Sequence, residues 1–429
     1  MDGMLIALLS VSAAIMFTLG VPVLLVIGHW VLWVSIIIDF SLNNLSMTLF
    51  EGINFFGLLA LPLFILTGDI INGAGIAKRM TDFAYSLFGW LRGGLGLAVL
   101  GACGMFSAIS GSNAATTATI GSIMHKEMKE GNYDARFSAA TMASGGIVGV
   151  IIPPSILLII YGFLMGLPVG ELFLAGLLPG ILLVLGMQAI CLVRSRRNNW
   201  GQIIPFSIIG SFRSGARAYL GFIAIAIVLF GIYGGAFSPS EAGAITVAFG
   251  LIAGTMVTRE LSLRKLPTIF LRSGQIAGMI VPLVAVSVVL QQLLSILGVP
   301  EQLKGLVTSL AAGYWLTLAM CMAMILIAGS FLESVPVTII LAPILAPIMQ
   351  GLGIDPIHFA VIFVIGTAIG FITPPFGLNL FVASSVTGVP LITMLSNLLP
   401  YFVTLMVIWI LIVIFPSLTT VIPALSAAF

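Results

Sequence analysis

A chain of 429 residues that is 60% hydrophobic and only 7% charged carries more apolar surface than a soluble domain of that length can bury. It therefore reads as a polytopic membrane protein. Its net charge of +2 gives nucleic-acid binding no electrostatic support, and Cys103, Cys191 and Cys321 lie unpaired in apolar runs, which favours packing over a disulfide or metal site.

About 20 apolar residues cross a bilayer as a helix. By that measure the N-terminus, which lacks the basic segment of a signal peptide, runs straight into a first span near 4–30. Further spans follow near 50–72, 135–165, 171–193, 218–237, 241–258, 274–298, 356–388 and 391–415, nine crossings in all. Two other apolar regions have polar or glycine-containing centres. Segment 94–125 contains Ser107–Thr117, SAISGSNAATT, and segment 313–350 contains Ala328–Ser334, AGSFLES. With each half read as too short to span alone, both are expected to be re-entrant hairpins, which requires protein or a water-filled cavity around the irregular backbone. Short segments at 74–90 and 299–312 precede the hairpins; the first, amphipathic, is expected to lie in the membrane interface as an arm.

Positive charge supports this threading. Lys78, Arg79, Arg92, Lys126, Lys129, Arg136, Arg194, Arg196, Arg197, Arg213, Arg217, Arg259, Arg264, Lys265 and Arg272 all fall on one face, fifteen of the sixteen Lys and Arg, and only Lys304 falls opposite. The expected placement is an N-terminus in the cytoplasm and a C-terminus outside.

Within the span at 135–165, Gly145, Gly149, Pro153 and Pro154 break the helix, because adjacent prolines remove donors and clash with the preceding turn. Gly366, Gly370, Pro374 and Pro375 repeat the pattern 221 residues later, with Asp134/Asp355, Ala139/Ala360, Ile151/Ile372 and Leu157/Leu378 in the same register. Matching broken helices in two halves point to the midplane site of a secondary transporter. The expected fold is all-α, with inverted-topology repeats at 1–193 and 238–429 joined by a basic loop and linking span at 194–237. Each repeat holds one re-entrant hairpin and one broken helix.

Broken helices and hairpin tips expose carbonyls and helix ends. Oxygen ligands without Cys or His suit an alkali or alkaline-earth cation, and helix N-termini suit a carboxylate. The first candidate cation site comprises Ser110, Ser112, Asn113, Gly145 and Gly149; the second comprises Gly329, Ser330, Glu333, Gly366, Gly370 and Thr373. The plain alternative is that these residues cap helices and allow close packing. Glu333 is the one acid placed at a hairpin tip in the hydrophobic layer, so a functional role is its default reading: cation binding, proton carriage or capping of the helix at Ser334. Asp69 is expected to be solvated or capping. Asn379 is a candidate substrate contact or a packing residue, and His29, His125 and His358 receive no role. HExxH, GxGD and GxxxxGK[ST] are absent, and no enzymatic activity is expected.

Several stretches resemble the large membrane subunit of TRAP (tripartite ATP-independent periplasmic) transporters: LPLFILTGDIINGAGIAKRM from Leu61, GSNAATTATIGSIMHKEMKEGNYDARFSAA from Gly111, IIPPSILLIIYG from Ile151, AGLLPGILL from Ala175, GAFSPSEAGA from Gly235 and ITPPFGLNLF from Ile372. The Ser-Asn tip and Pro-Pro breaks are also similar to sodium/dicarboxylate symporters of the wider ion-transporter superfamily. The resemblance implies a bacterial inner-membrane protein working with a separate small four-helix membrane subunit and a periplasmic substrate-binding protein. It implies sodium-driven uptake of an organic acid, a four-carbon dicarboxylate or sialic acid, with two sodium ions at the hairpin tips and an elevator motion. The second tip departs from the family pattern, reading FLES where a Ser-Asn pair is expected, so the resemblance supports the side-chain ligands of the second site less than those of the first, and backbone carbonyls can still serve. The alternatives are a stand-alone sodium/carboxylate symporter and, from another class, a channel or structural scaffold.

Overall fold

The computed structural model describes residues 2–299, 301–302, 305 and 313–427. The described part is helical. The second arm segment, 299–312, lies largely outside the described residues.

The N-terminal region departs from the single expected crossing at 4–30. Helices α1 (Asp2–Thr18) and α2 (Val23–Ile37) are separated by Gly20, at φ +80°, and Pro22. This is the glycine-then-proline stop of a helix, hidden from a purely apolar count. The two helices pack antiparallel, as the Ser12 Oγ–His29 Nε2 bond of 3.1 Å and the Trp30 Nε1–Ser10 Oγ bond of 3.1 Å require. Neither helix reaches eighteen residues, so a pair of short apolar helices stands where one continuous crossing was expected. The second expected span, 50–72, is also divided: α3 (Leu42–Ile53) ends at Asn54, and a 3₁₀ turn (Phe56–Leu59) leads into α4 (Ala60–Gly73).

Helix α5 (Ile76–Phe88) occupies the segment expected to be the first arm, and α6 (Gly94–Ser110) and α7 (Asn113–Glu130) form the first hairpin. The first broken helix is α8 (Ala135–Gly146), a 3₁₀ turn (Ile147–Val150) and α9 (Ile156–Met165), with a cis Pro153–Pro154 bond in the break. Then come α10 (Val169–Asn198), α11 (Ile208–Arg217) and α12 (Tyr219–Tyr233). Helix α11 was not expected; it meets α12 at a bend of 62°. Helix α13 (Pro239–Ile252) ends in a π turn, and α14 (Leu266–Ile296) begins eight residues before the expected span at 274–298.

The second hairpin is α15 (Tyr314–Phe331) and α16 (Ser334–Gly351). Each leg has 18 residues and is apolar enough to cross on its own, so neither is too short in the sense first supposed. What makes the pair a hairpin is the packing of its tip inside the molecule. The second broken helix is α17 (Pro356–Gly370) and α18 (Leu378–Thr387), with a cis Pro374–Pro375 bond. Helix α19 (Leu391–Ile414) is followed by a further helix, α20 (Ser417–Ala427), packed on α10. Among the described residues seven helices are long and apolar enough to cross a membrane, both legs of the second hairpin among them.

The repeats interlock. The inner hairpin helix α7 packs on α18, and its counterpart α16 packs on α9, so each hairpin lies against the distal half of the other repeat's broken helix. Around this unit, α4 packs on α13 and α14, α14 also touches α2 and α3, and α10 packs on α19.

Candidate functional site

The first hairpin turns because Gly111 adopts φ +61°, the left-handed conformation that ends a helix at low cost only for glycine. Ser112 is then extended, and its hydroxyl accepts from Ala115 N at 3.4 Å, starting α7. The tip locks onto the first break: Ile156 N donates to Gly111 O at 3.2 Å, and Ser110 Oγ lies 3.0 Å from Thr116 Oγ1. A β-carbon on Gly149 would sit 2.5 Å from Ser112 O and 2.8 Å from Asn113 Cα, so glycine is what lets the two main chains touch.

Asn113 is buried beside this contact, and its amide nitrogen has no hydrogen-bond partner; the buried hydroxyl of Ser144 also has none. Because the amide's N and O are isosteric, a half-turn of the side chain presents oxygen at that buried position. Unpaired buried polar atoms are costly, and they mark where a ligand is missing from the count. Ser144 had not been singled out; its only sequence signal was its place one residue before Gly145. The tip thus brings Ser110, Ser112, Asn113 and Gly149 together. Gly145 is different. Its added β-carbon would meet Cys103 Sγ at 2.9 Å, so it serves the packing of α6 on α8.

At the second tip Gly329 and Gly370 are the touching pair: a β-carbon on Gly370 would lie 2.4 Å from Gly329 C. Gly377 N donates to Ser330 O at 3.3 Å, Ser330 Oγ to Ile327 O at 2.7 Å, and Thr373 Oγ1 to Ile369 O at 2.9 Å. Gly366, like Gly145, faces a neighbouring helix, with Trp409 and Ile325 against it. Glu333 is extended at the N-cap of α16, but its carboxylate makes no capping bond, so the capping role drops out. Its side chain is exposed and lines a cavity.

That cavity, of about 350 Å³, lies where both tips meet α4 and α14. Its walls include Ser110–Ala115, Glu333–Val335, Gly68 and Asp69 on α4, and Arg272 and Ile276 on α14. A second cavity of about 310 Å³ shares Gly68, Asp69, Ala115, Ala118 and Arg272, and continues past Asn72 and Ser122 along α7 toward its basic end. Asp69 is partly exposed at the cavity wall and does more than meet solvent: Ser273 Oγ donates to its carboxylate at 2.8 Å, tying α4 to α14. Arg272, counted in the sequence only as a topological charge, proves to line both cavities. Asn379 is fully buried, its amide nitrogen donating to Ala143 O at 3.2 Å and so joining α18 to α8, while its amide oxygen, like the unpaired atoms of Asn113 and Ser144, has no hydrogen-bond partner.

The donor set at the first tip is carbonyl, hydroxyl and amide oxygen, with Glu333 added near the second. Among the described residues no cluster of three His, Cys, Asp or Glu exists to hold a transition metal. Hard oxygen donors of this kind fit a small cation. The cavity beside them has one arginine, Arg272, and two carboxylates, Asp69 and Glu333, in its walls.

A family model described as the DctM component of the tripartite ATP-independent periplasmic transporters matches residues 3–418. The chain is 37% identical over 383 residues to the C4-dicarboxylate TRAP transporter large permease protein of Pseudomonas aeruginosa, covering 89% of this chain and 90% of that one. It is 31% identical to the sialic acid TRAP transporter large permease of Vibrio cholerae, covering 90% of each. It is also 35% identical to the isethionate TRAP transporter permease DctMQ of Oleidesulfovibrio alaskensis, covering 97% of this chain and 65% of that longer one. The fold is similar to that of the Alcanivorax borkumensis YdaH transporter, with a TM-score of 0.60 over 86% of this chain and 88% of that one at 16% identity. With a family match over nearly its whole length and relatives above 30% identity, this multi-pass membrane protein belongs to the DctM family, the large permeases of TRAP transporters.

Proposed function

We propose that this chain carries an organic anion across the bacterial inner membrane by sodium symport. The solute is handed over by a periplasmic binding protein, and a separate small membrane subunit stands beside the permease. The observation that carries this reading is the cavity of about 350 Å³ between the two hairpin tips and α4–α14. In it, oxygen donors for a cation lie next to a space with an arginine in its wall. Sodium binds first-tip donors from Ser110, Ser112, Asn113 and the break at Gly149, and a second ion binds around Gly329, Ser330, Glu333, Gly370 and Thr373. Relatives named for dicarboxylates, sialic acid and isethionate share one chemistry, an acidic group with several oxygens, and Arg272 suits it.

The interlocked hairpins and broken helices move as one body against α4, α13 and α14, in the manner of an elevator. The face with fifteen of the sixteen basic residues is cytoplasmic, so the path along α7 opens inward.

The test is uptake into proteoliposomes containing this chain and its small partner, with labelled succinate or sialic acid loaded on the cognate binding protein. Accumulation that needs both an inward sodium gradient and the binding protein is the expected result. Accumulation of free solute without that protein identifies a stand-alone symporter. Non-saturating flux without accumulation identifies a channel.

A further inference from the structure

Helix α11 (Ile208–Arg217) has two faces. One packs on the arm α5 in antiparallel register: Trp90 meets Phe206 with ring centroids 6.0 Å apart, Ser211 Oγ donates to Ser86 O at 3.0 Å, and Gly215 lies against the Phe83 ring. At 100° per residue Ile208, Ile209 and Phe212 fan round from the edge of the packed face to the side opposite Ser211. They are 76%, 81% and 80% exposed, among the most exposed large apolar side chains of the chain. Arg213 flanks that face and is exposed, while Arg217 lies nearer the arm, where its charge acts on Asp82. Between Arg194 and Arg217 the chain has five arginines and no acid.

An amphipathic helix with a bulky apolar stripe, an arginine at its border and a bend into a spanning helix has the geometry of one lying in the plane of a bilayer. We propose that α11 is a binding site for anionic phospholipid: Ile208, Ile209 and Phe212 enter the acyl region and Arg213 takes the headgroup phosphate. The acid-free run of arginines selects negative lipid over zwitterionic lipid. Because α11 is bonded along α5, the lipid holds the first arm at the interface. The inference does not depend on which solute is carried.

Cys103, Cys191 and Cys321 are buried, so a single Phe212→Cys carries a fluorescent label selectively. The labelled chain is reconstituted in nanodiscs containing either brominated-chain phosphatidylglycerol or brominated-chain phosphatidylcholine. Quenching should be stronger with phosphatidylglycerol, by about fivefold in apparent lipid preference, the equivalent of ~1 kcal/mol for one basic residue at a membrane surface. Arg213→Gln should erase the preference while quenching by phosphatidylcholine persists. Equal quenching by the two lipids in the parent protein overturns the anionic preference. A label reached by aqueous iodide but not by brominated lipid, or shielded from both only when the small subunit is added, overturns the membrane location.

Discussion

Gly149 and Gly370 sit where each hairpin tip meets the break of its own repeat, and neither position has room for a methyl group. Gly149→Ala must push Ser112 O outward by roughly 1 Å, an overpacking lesion that costs about 1–3 kcal/mol. The expected outcome is a lowered melting temperature in detergent together with weakened sodium dependence of uptake. Gly145→Ala, which presses on a cysteine side chain of α6 and on no tip carbonyl, should lower stability while sparing sodium affinity. Asn113→Ala removes a buried amide with an unpaired atom. If that amide is a cation ligand, the sodium concentration for half-maximal uptake should rise about tenfold, or ~1.4 kcal/mol; unchanged sodium affinity would return Asn113 to a packing role. Glu333→Gln keeps the shape of the tip but removes its charge, and since the carboxylate caps nothing, folding should survive while coupling to sodium falls. The two breaks were legible from the repeat of 221 residues, because a broken helix needs glycine and proline in a fixed pattern, and the tips from the polar centres of two apolar regions. Asp69, Arg272 and Ser144 were not, since a lone charge or hydroxyl gains meaning only from what faces it.

The first arm segment shows what an element adds. Helix α5 begins at Gly75, φ +69°, and Arg79 there donates to the carbonyls of Ala74 and Gly75 and pairs with Glu260 at 2.7 Å. The ion pair is solvent-accessible, at 28% and 50% side-chain exposure, so Glu260→Gln should cost no more than about 1 kcal/mol. Gly75→Ala is the heavier change, because the left-handed φ disfavours alanine and the new methyl would lie 1.7 Å from Glu260 Oε2. Thermal unfolding of the two variants should therefore rank Gly75→Ala below Glu260→Gln. The amphipathic pattern of 74–90 announced this helix. The stop at Gly20–Pro22 and the helix α11 went unread because an apolar count weighs composition and not the backbone at a turn.

At the scale of the molecule, the hairpin unit touches the scaffold at Gly68 on α4, where an added β-carbon would stand 3.3 Å from Ser110 Cβ. That separation is close to the span of a disulfide. Oxidation of a Gly68→Cys/Ser110→Cys protein should stop uptake, and a reductant should restore it to the level of the Ser110→Cys single variant. Uptake that continues through a formed cross-link would mean the hairpin unit does not slide past α4.

The sequence by itself determined that the chain spans a membrane repeatedly, that it contains two copies of one plan, and that each copy breaks at Pro-Pro beside a polar hairpin. Hydropathy, charge bias and proline geometry are local properties, and local properties repeat visibly. Only the tertiary structure decided which atoms meet: α7 against α18 and α16 against α9, Gly149 against Ser112, and Arg272 and Asp69 in the wall of the cavity. Asn379 shows the same limit from the other side. Its position after the second Pro-Pro suggested a solute contact or packing; helix packing ties its amide nitrogen to a carbonyl of α8 and leaves its oxygen buried without a partner. Contacts between residues hundreds of positions apart depend on how helices cross, and no window of sequence contains that angle.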